Sequence, residues 1–178
     1  MENELAINYA RALFELSKPE HYQAYLSAWD EFLSSLEDKE WARFLESYTV
    51  DLARKYNALD KVYSFRDAPE LLPLLKVMIS HHRNNLFKDV ASLYRGYVHE
   101  SLGIKEGILF SAYPLSEKEV KRVEEAIAKQ LGGRVYLIQK VDHTLLGGIK
   151  VNIDGKVYDG TLRNRLQELK RRLKGGAS

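Results

Sequence analysis

The chain has 178 residues, 45% of them hydrophobic and 29% charged, which suffices for one large or two small domains. It has no cysteine, which excludes disulfides and thiolate metal sites. The net charge of +2 hides an asymmetry: residues 1–104 carry 12 Lys+Arg against 16 Asp+Glu and residues 105–178 carry 15 against 9, as expected of two domains facing different surroundings.

The first hundred residues show helical periodicity. Leu5, Tyr9, Ala12, Leu13 and Leu16 recur at helical spacing, and further helices are expected over 21–36, 40–45 and 50–63. Ala68-Pro69-Glu70 is a start signal for a helix over 71–81, with Pro73 near the first turn, where its missing N–H costs little. A sixth helix is expected over 87–100, stopped by Gly103. These six predict an all-α bundle over 1–104. A short hinge is expected at 101–105.

The pattern then changes. Residues 106–113 read as a strand closed by Pro114. Ser116 and Glu119 form a capping-box signature for a helix that ends at Leu131, before Gly132-Gly133. Strands are expected over 135–141, 148–153 and 156–158, with Asp154-Gly155 as a two-residue hairpin turn. A last helix is expected over 161–173. The predicted fold class is therefore α+β: a six-helix N-terminal domain (1–104), then a small α/β domain (105–178) in the order β-α-β-β-β-α with a mixed sheet.

Two helices carry more apolar surface than one core needs. On the first, Ala6, Ile7, Ala10 and Phe14 widen the stripe to an arc of roughly 220°, where about 100° covers a core. Leu71 to Ile79 behaves alike, with only Lys76 and Ser80 clearly polar over a similar arc of roughly 220°. Either both helices lie centrally in the bundle, or together they leave a groove for a partner helix.

No phosphate loop, dinucleotide fingerprint, zincin or nucleophile-elbow motif occurs. Adjacent His81 and His82 point about 100° apart on a helix and cannot share one ion well. Gly147-Gly148 precedes a strand rather than a helix, so backbone geometry is its expected use. No catalytic residue, cofactor or metal is expected. The basic last helix, with Arg163, Arg165 and Lys170 to Lys174, leaves an RNA-binding module as the alternative to a protein partner. No stretch has the length of a membrane span, and the acidic start Met1-Glu2-Asn3-Glu4 fits neither a signal nor a transit peptide, so a cytoplasmic protein is expected.

Tyr9-Ala10-Arg11-Ala12-Leu13-Phe14-Glu15-Leu16 resembles the opening helix of the delta subunits of F-type ATP synthases, the relatives of the mitochondrial oligomycin-sensitivity-conferring protein. Val141-Asp142, Leu145, Gly147-Gly148, Tyr158-Asp159-Gly160-Thr161, Arg163 and Arg165-Leu166 are similar to that family's C-terminal motif, and Ser111 to Ser116 to its strand–helix junction. Thr161 departs mildly from the commoner Ser, and His82-Arg83-Asn84-Asn85 departs from the family's usual turn after the fifth helix. The resemblance implies a non-catalytic stator subunit of the peripheral stalk in a proton-translocating ATP synthase. It implies that the helical domain grips N-terminal helices of alpha subunits and that the second domain holds b-type stalk subunits. Association with the cytoplasmic face of a bacterial inner membrane would be through the complex alone, with no nucleic acid involved. Carried over, the groove uses Ala6, Tyr9, Ala10, Leu13 and Phe14, with Leu75, Met78 and Ile79 opposite. On that assignment Ala10→Arg blocks the groove and spares the fold. Gly147, Gly148, Asp159, Gly160, Arg163 and Arg165 are expected to support the second domain or touch the stalk.

Overall fold

The computed structural model describes residues 2–161. The chain is α+β and divides into two compact units, Met1–Val98 and His99–Ser178. In the first unit the helices are α1 (Glu2–Leu16), α2 (Tyr22–Ser35), α3 (Lys39–Glu46), α4 (Leu52–Val62), α5 (Leu71–Ser80) and α6 (Phe87–Ser101), the last ending just inside the second unit. Short 3-10 turns at Pro19–His21 and Asn84–Leu86 lead into α2 and α6.

Aromatic side chains fill the centre of the first unit. Trp29 and Phe32 of α2 are fully buried, and the Phe32 ring meets those of Phe87 (4.9 Å) and Tyr63 (5.7 Å) edge-on, the geometry that ring quadrupoles favour. Asp38 starts α3, its carboxylate accepting from the N–H groups of Glu40 and Trp41. The other end of α3 is closed from a distance. Lys55 of α4 is buried, and its ammonium donates to the carbonyls of Leu45 and Ser47, both at 2.7 Å. A cation at a helix C-terminus satisfies carbonyls that the helix leaves open.

The turn after α5 is closed by its own backbone. His82 is left-handed (φ 54°). Its N–H donates to the Ile79 carbonyl, and the Arg83 N–H donates to that of Met78. This is the paired ending that a Gly or Asn usually supplies. The Tyr48 ring lies 4.4 Å from the His82 ring.

In the second unit β1 (Ile104–Ser111), α7 (Glu117–Leu131), β2 (Arg134–Val141), β3 (Ile149–Ile153) and β4 (Lys156–Asp159) follow in order. The sheet order is β2-β1-β3-β4, with β1 parallel to β2 and antiparallel to β3, and β4 antiparallel to β3. The sheet is mixed, as expected from the sequence. The strand expected over 106–113 begins and ends two residues earlier, because Ile104 and Lys105 already pair with Arg134 and Val135. The helix expected over 161–173 lies outside the described residues. Glu119 accepts from the Ser116 N–H (2.8 Å) and hydroxyl (2.7 Å), fixing the start of α7. Asp154 and Gly155 both have positive φ (50° and 75°), as a two-residue hairpin turn of the primed type requires. Leu109, Ile127, Leu137, Val151 and Ile153 form the core between α7 and one sheet face.

Replacing Lys55 with Met is expected to destabilise the chain by about 2–4 kcal/mol, since two inward-facing carbonyls lose their donor and α3 loses its end cap. Urea unfolding followed by tryptophan fluorescence measures this. An unchanged midpoint would show that water replaces the ammonium at no cost.

Candidate functional site

Backbone and side-chain geometry divides the eight predicted groove residues. Ala6, Ala10 and Leu13 of α1 and Leu75, Met78 and Ile79 of α5 are buried by the chain's own helices. Phe14 is half-buried and turned inward, its ring 5.4 Å from that of Tyr22 and 5.8 Å from that of Tyr97. Tyr9 is half-buried at the edge of this packing. The Arg83 guanidinium donates to its hydroxyl (2.7 Å) and stands 5.6 Å from its ring. Ala10 therefore has no room for an arginine, and Ala10→Arg would disrupt the unit rather than only a groove.

The apolar surface left open lies one step round each helix. On α1 the flank is Leu5, Tyr9, Ala12 and Leu16, at the i, i+4, i+7 and i+11 positions of one stripe. Leu16 is 64% exposed. On α5 two flanks are distinguishable. Lys76 bonds Asp60 at 2.5 Å and sits 5.6 Å from the Tyr56 ring, so that flank faces α4. The opposite flank carries Leu74 and Val77, the latter 45% exposed.

Helices α1 and α5 pack against each other. They run antiparallel, as the hollows at the two ends of their seam demonstrate. One, of about 450 Å³, is lined by Leu5, Tyr48, His82, Arg83 and Asn84 beside the end of α5. The other, of about 190 Å³, is lined by Leu16, His21, Tyr25, Pro69 and Glu70 beside its start. There the Tyr25 hydroxyl donates to the Glu70 carboxylate, and burial together with that carboxylate pushes the phenol well above its usual range. Sequence reasoning included Ala12 and Leu16 in the stripe but not in the groove.

In the second unit the motif residues hold one another. Gly148 has φ 80°, and a side chain there would put its Cβ 2.5 Å from the Gly160 carbonyl oxygen and 2.8 Å from the Thr161 Cα. Only glycine permits both the conformation and the approach. The Gly160 N–H donates to the Ile149 carbonyl at 2.9 Å. Asp159 accepts from the Thr161 N–H (2.9 Å), and hydrogen bonds from Thr161 hold its carboxyl below the usual range. Thr161 is buried, Gly147 is buried with φ 140°, and Arg163 and Arg165 lie outside the described residues. His99 is buried and hydrogen-bonded to Glu106 (2.6 Å). Among the described residues no group of three or more His, Asp or Glu is placed to hold a metal ion, and no helix is long and apolar enough to cross a membrane.

The family model described as "ATP synthase delta (OSCP) subunit" matches residues 5–173. The chain belongs to this family. It is 29% identical to the ATP synthase subunit delta of Dehalococcoides mccartyi over 176 residues, covering 97% of this chain and 95% of that protein. Subunit delta of Clostridioides difficile is 28% identical (97% of each chain) and that of Halalkalibacterium halodurans 29% (99% and 98%). A chain in the Toxoplasma gondii mitochondrial ATP synthase hexamer shares the fold, with a TM-score of 0.63 at 18% identity, covering 95% of this chain and 97% of that one. As an ATP synthase delta subunit the protein is a peripheral-stalk component of a membrane-associated complex and is not itself catalytic. The RNA-binding alternative finds no support in these matches.

Gly148→Ala is expected to cost about 1–3 kcal/mol, from the clash and the unfavourable φ together. Thermal unfolding checks it; an unchanged melting temperature would mean that the Gly160 strand end moves aside freely. Because the Asp159 carboxyl is depressed in the folded state, its contribution is present above the ordinary carboxylate pKa, about 3.9, and is lost as pH falls through the lower folded value. Asp159→Asn should therefore flatten the acid limb of a stability-against-pH profile measured by urea unfolding. An identical acid limb would show that this carboxylate is not linked to folding.

Proposed function

We propose that the seam between α1 and α5 receives an amphipathic helix from the N-terminus of an alpha subunit, and that the C-terminal unit holds a b-type stalk subunit. The six helices then act as one bundle capping the catalytic head, with 1–104 and 105–178 as the two working domains. The observation that carries this reading is that two helices which pack against each other each keep an apolar flank open, Leu5, Tyr9, Ala12 and Leu16 on α1 and Leu74 and Val77 on α5. The flank on α1 extends over about 16 Å, three turns of helix at 1.5 Å per residue. That length fits a partner with anchors at i, i+3 or i+4, and i+7. Ala12 permits close approach of a partner backbone. The eight residues that the family resemblance assigns to the groove then serve as its floor and supports: six brace the two helices, Phe14 anchors α1 to its neighbours, and Tyr9 is fixed by Arg83 at the rim.

Under this reading the protein is a mechanical link. It resists rotor torque so that rotation at the head is converted to ATP synthesis, and it reaches the cytoplasmic face of the membrane only through its partners. The absence of catalytic chemistry follows from the family rather than from any empty site.

Calorimetry with a peptide copying the N-terminus of the alpha subunit tests the groove. Wild type should bind. Val77→Glu and Leu16→Glu, both at exposed positions, should each weaken binding about tenfold or more while leaving the melting temperature nearly unchanged. Equal binding by all three proteins would refute the seam; no binding by wild type would refute the partner.

A further inference from the structure

The turn that ends α5 carries a charged side chain back to α1. Left-handed His82 reverses the chain, and the Arg83 N–H closes the turn on the Met78 carbonyl at 2.9 Å. From there the Arg83 guanidinium reaches Tyr9, donating to the hydroxyl at 2.7 Å with the ring centre 5.6 Å away. Tyr9 belongs to the open flank of α1, one turn after Leu5.

The charge of Arg83 is not answered by a carboxylate. A guanidinium presents five N–H donors in a planar fork, and taking its charge out of water calls for an anionic partner. Arg83 is half-buried, yet its side-chain hydrogen bond goes to a neutral phenol. No ion pair among the described residues includes it. Glu46 lines the same hollow of about 450 Å³ and is not paired with it. The side chain is also fixed before anything binds, by its own backbone at one end and by the Tyr9 hydroxyl at the other. A group held in this way loses little freedom when it takes a ligand.

The surroundings select the ligand's chemistry. One fork matches one carboxylate, in the two parallel hydrogen bonds that planar groups form. A phosphate would need further cations converging on it. The neighbouring His82 is exposed with its ring against that of Tyr48, and the Glu46 carboxylate would repel a doubly charged group. Leu5, on the same hollow, continues the apolar flank that a helix would follow. A carboxylate on such a helix would meet Arg83 partly out of water, where a charge pair is screened least.

We infer that Arg83 takes an Asp or Glu side chain of the helix that α1 and α5 receive, and that Tyr9 is its positioning residue. The inference rests on the reading of the seam as the alpha-subunit site. It adds the chemistry that the incoming helix must bring, and the end at which it must bring it, beside Leu5 and the close of α5.

Calorimetry on the full chain tests this with a peptide copying the N-terminal segment of the alpha subunit from the same organism. Single variants of the peptide replace each Asp by Asn or each Glu by Gln in turn. Wild type should bind. Arg83→Gln should weaken binding about tenfold, and Arg83→Lys about three- to tenfold, because an ammonium keeps the charge and loses the fork. One peptide variant should bind the wild-type protein about tenfold more weakly than the unaltered peptide, and bind Arg83→Gln equally well, the signature of a direct pair. Tyr9→Phe should lessen that coupling although the charge is still present. Melting temperatures should stay near that of wild type; if Arg83→Gln fails to fold, the same comparison with Arg83→Lys decides. Peptide variants that lose as much on Arg83→Gln as on wild type would overturn the inference, and the seam would still stand if Val77→Glu weakens binding. No binding by wild type would overturn the reading of the seam and this inference with it. Glu168→Gln removes the one acidic side chain after Thr161 and should leave affinity unchanged. Tighter binding by that variant would give Arg83 to the chain's own end and overturn the inference.

Discussion

The first unit depends on how α1 and α5 share their apolar surface. Each has more of it than one face can bury, and the division is set by the residues that go fully inside: Ala6, Ala10 and Leu13 on one helix, Leu71, Leu75, Met78 and Ile79 on the other. Burying a Leu, Ile or Met side chain contributes about 1.5–3 kcal/mol, so these positions outweigh any arrangement that would instead hide Leu16 and Val77. Once they are inside, Leu16 and Val77 are left exposed on the flanks of the two helices. The proposed binding surface is then a by-product of core packing, and the alanines matter because they let the helices lie close without filling the space the larger side chains need.

The second unit is held by different physics. Its ends are clasped by backbone contacts: Gly148 against Gly160 and Thr161, and Asp159 turned onto the Thr161 N–H. The carboxyls held below their usual range all have local causes. Glu119 accepts from Ser116, Asp142 from Thr144 and Asp159 from Thr161. Such shifts can accompany catalysis, but here each belongs to a turn or a helix start two or three residues away. A stator transmits load and converts no substrate, and groups spent on fixing turns suit that task.

Much of this was legible in the sequence because the deciding interactions are local. Ser116 with Glu119, Asp154 with Gly155 and the period of each helix act within a few residues, and family membership was readable from motifs at both ends of the chain. The groove was legible only as a question. A helical wheel gives the width of an apolar arc, not the side on which its neighbours stand. That side is set by contacts distant in sequence, such as Lys76 with Asp60 and Arg83 with Tyr9. For the same reason Lys55 gave no sign of capping α3, and His99 none of pairing with Glu106.

The central claim is that one chain holds two different partners at once, on separate surfaces. Native mass spectrometry of the full chain tests it directly, in a mixture with two peptides. One copies the N-terminal helix of the alpha subunit, and the other the C-terminal segment of the b-type stalk protein. The account predicts a complex of one chain with one copy of each peptide, each binding as tightly with the other present as alone. Mutually exclusive binding, with each peptide displacing the other, would contradict it.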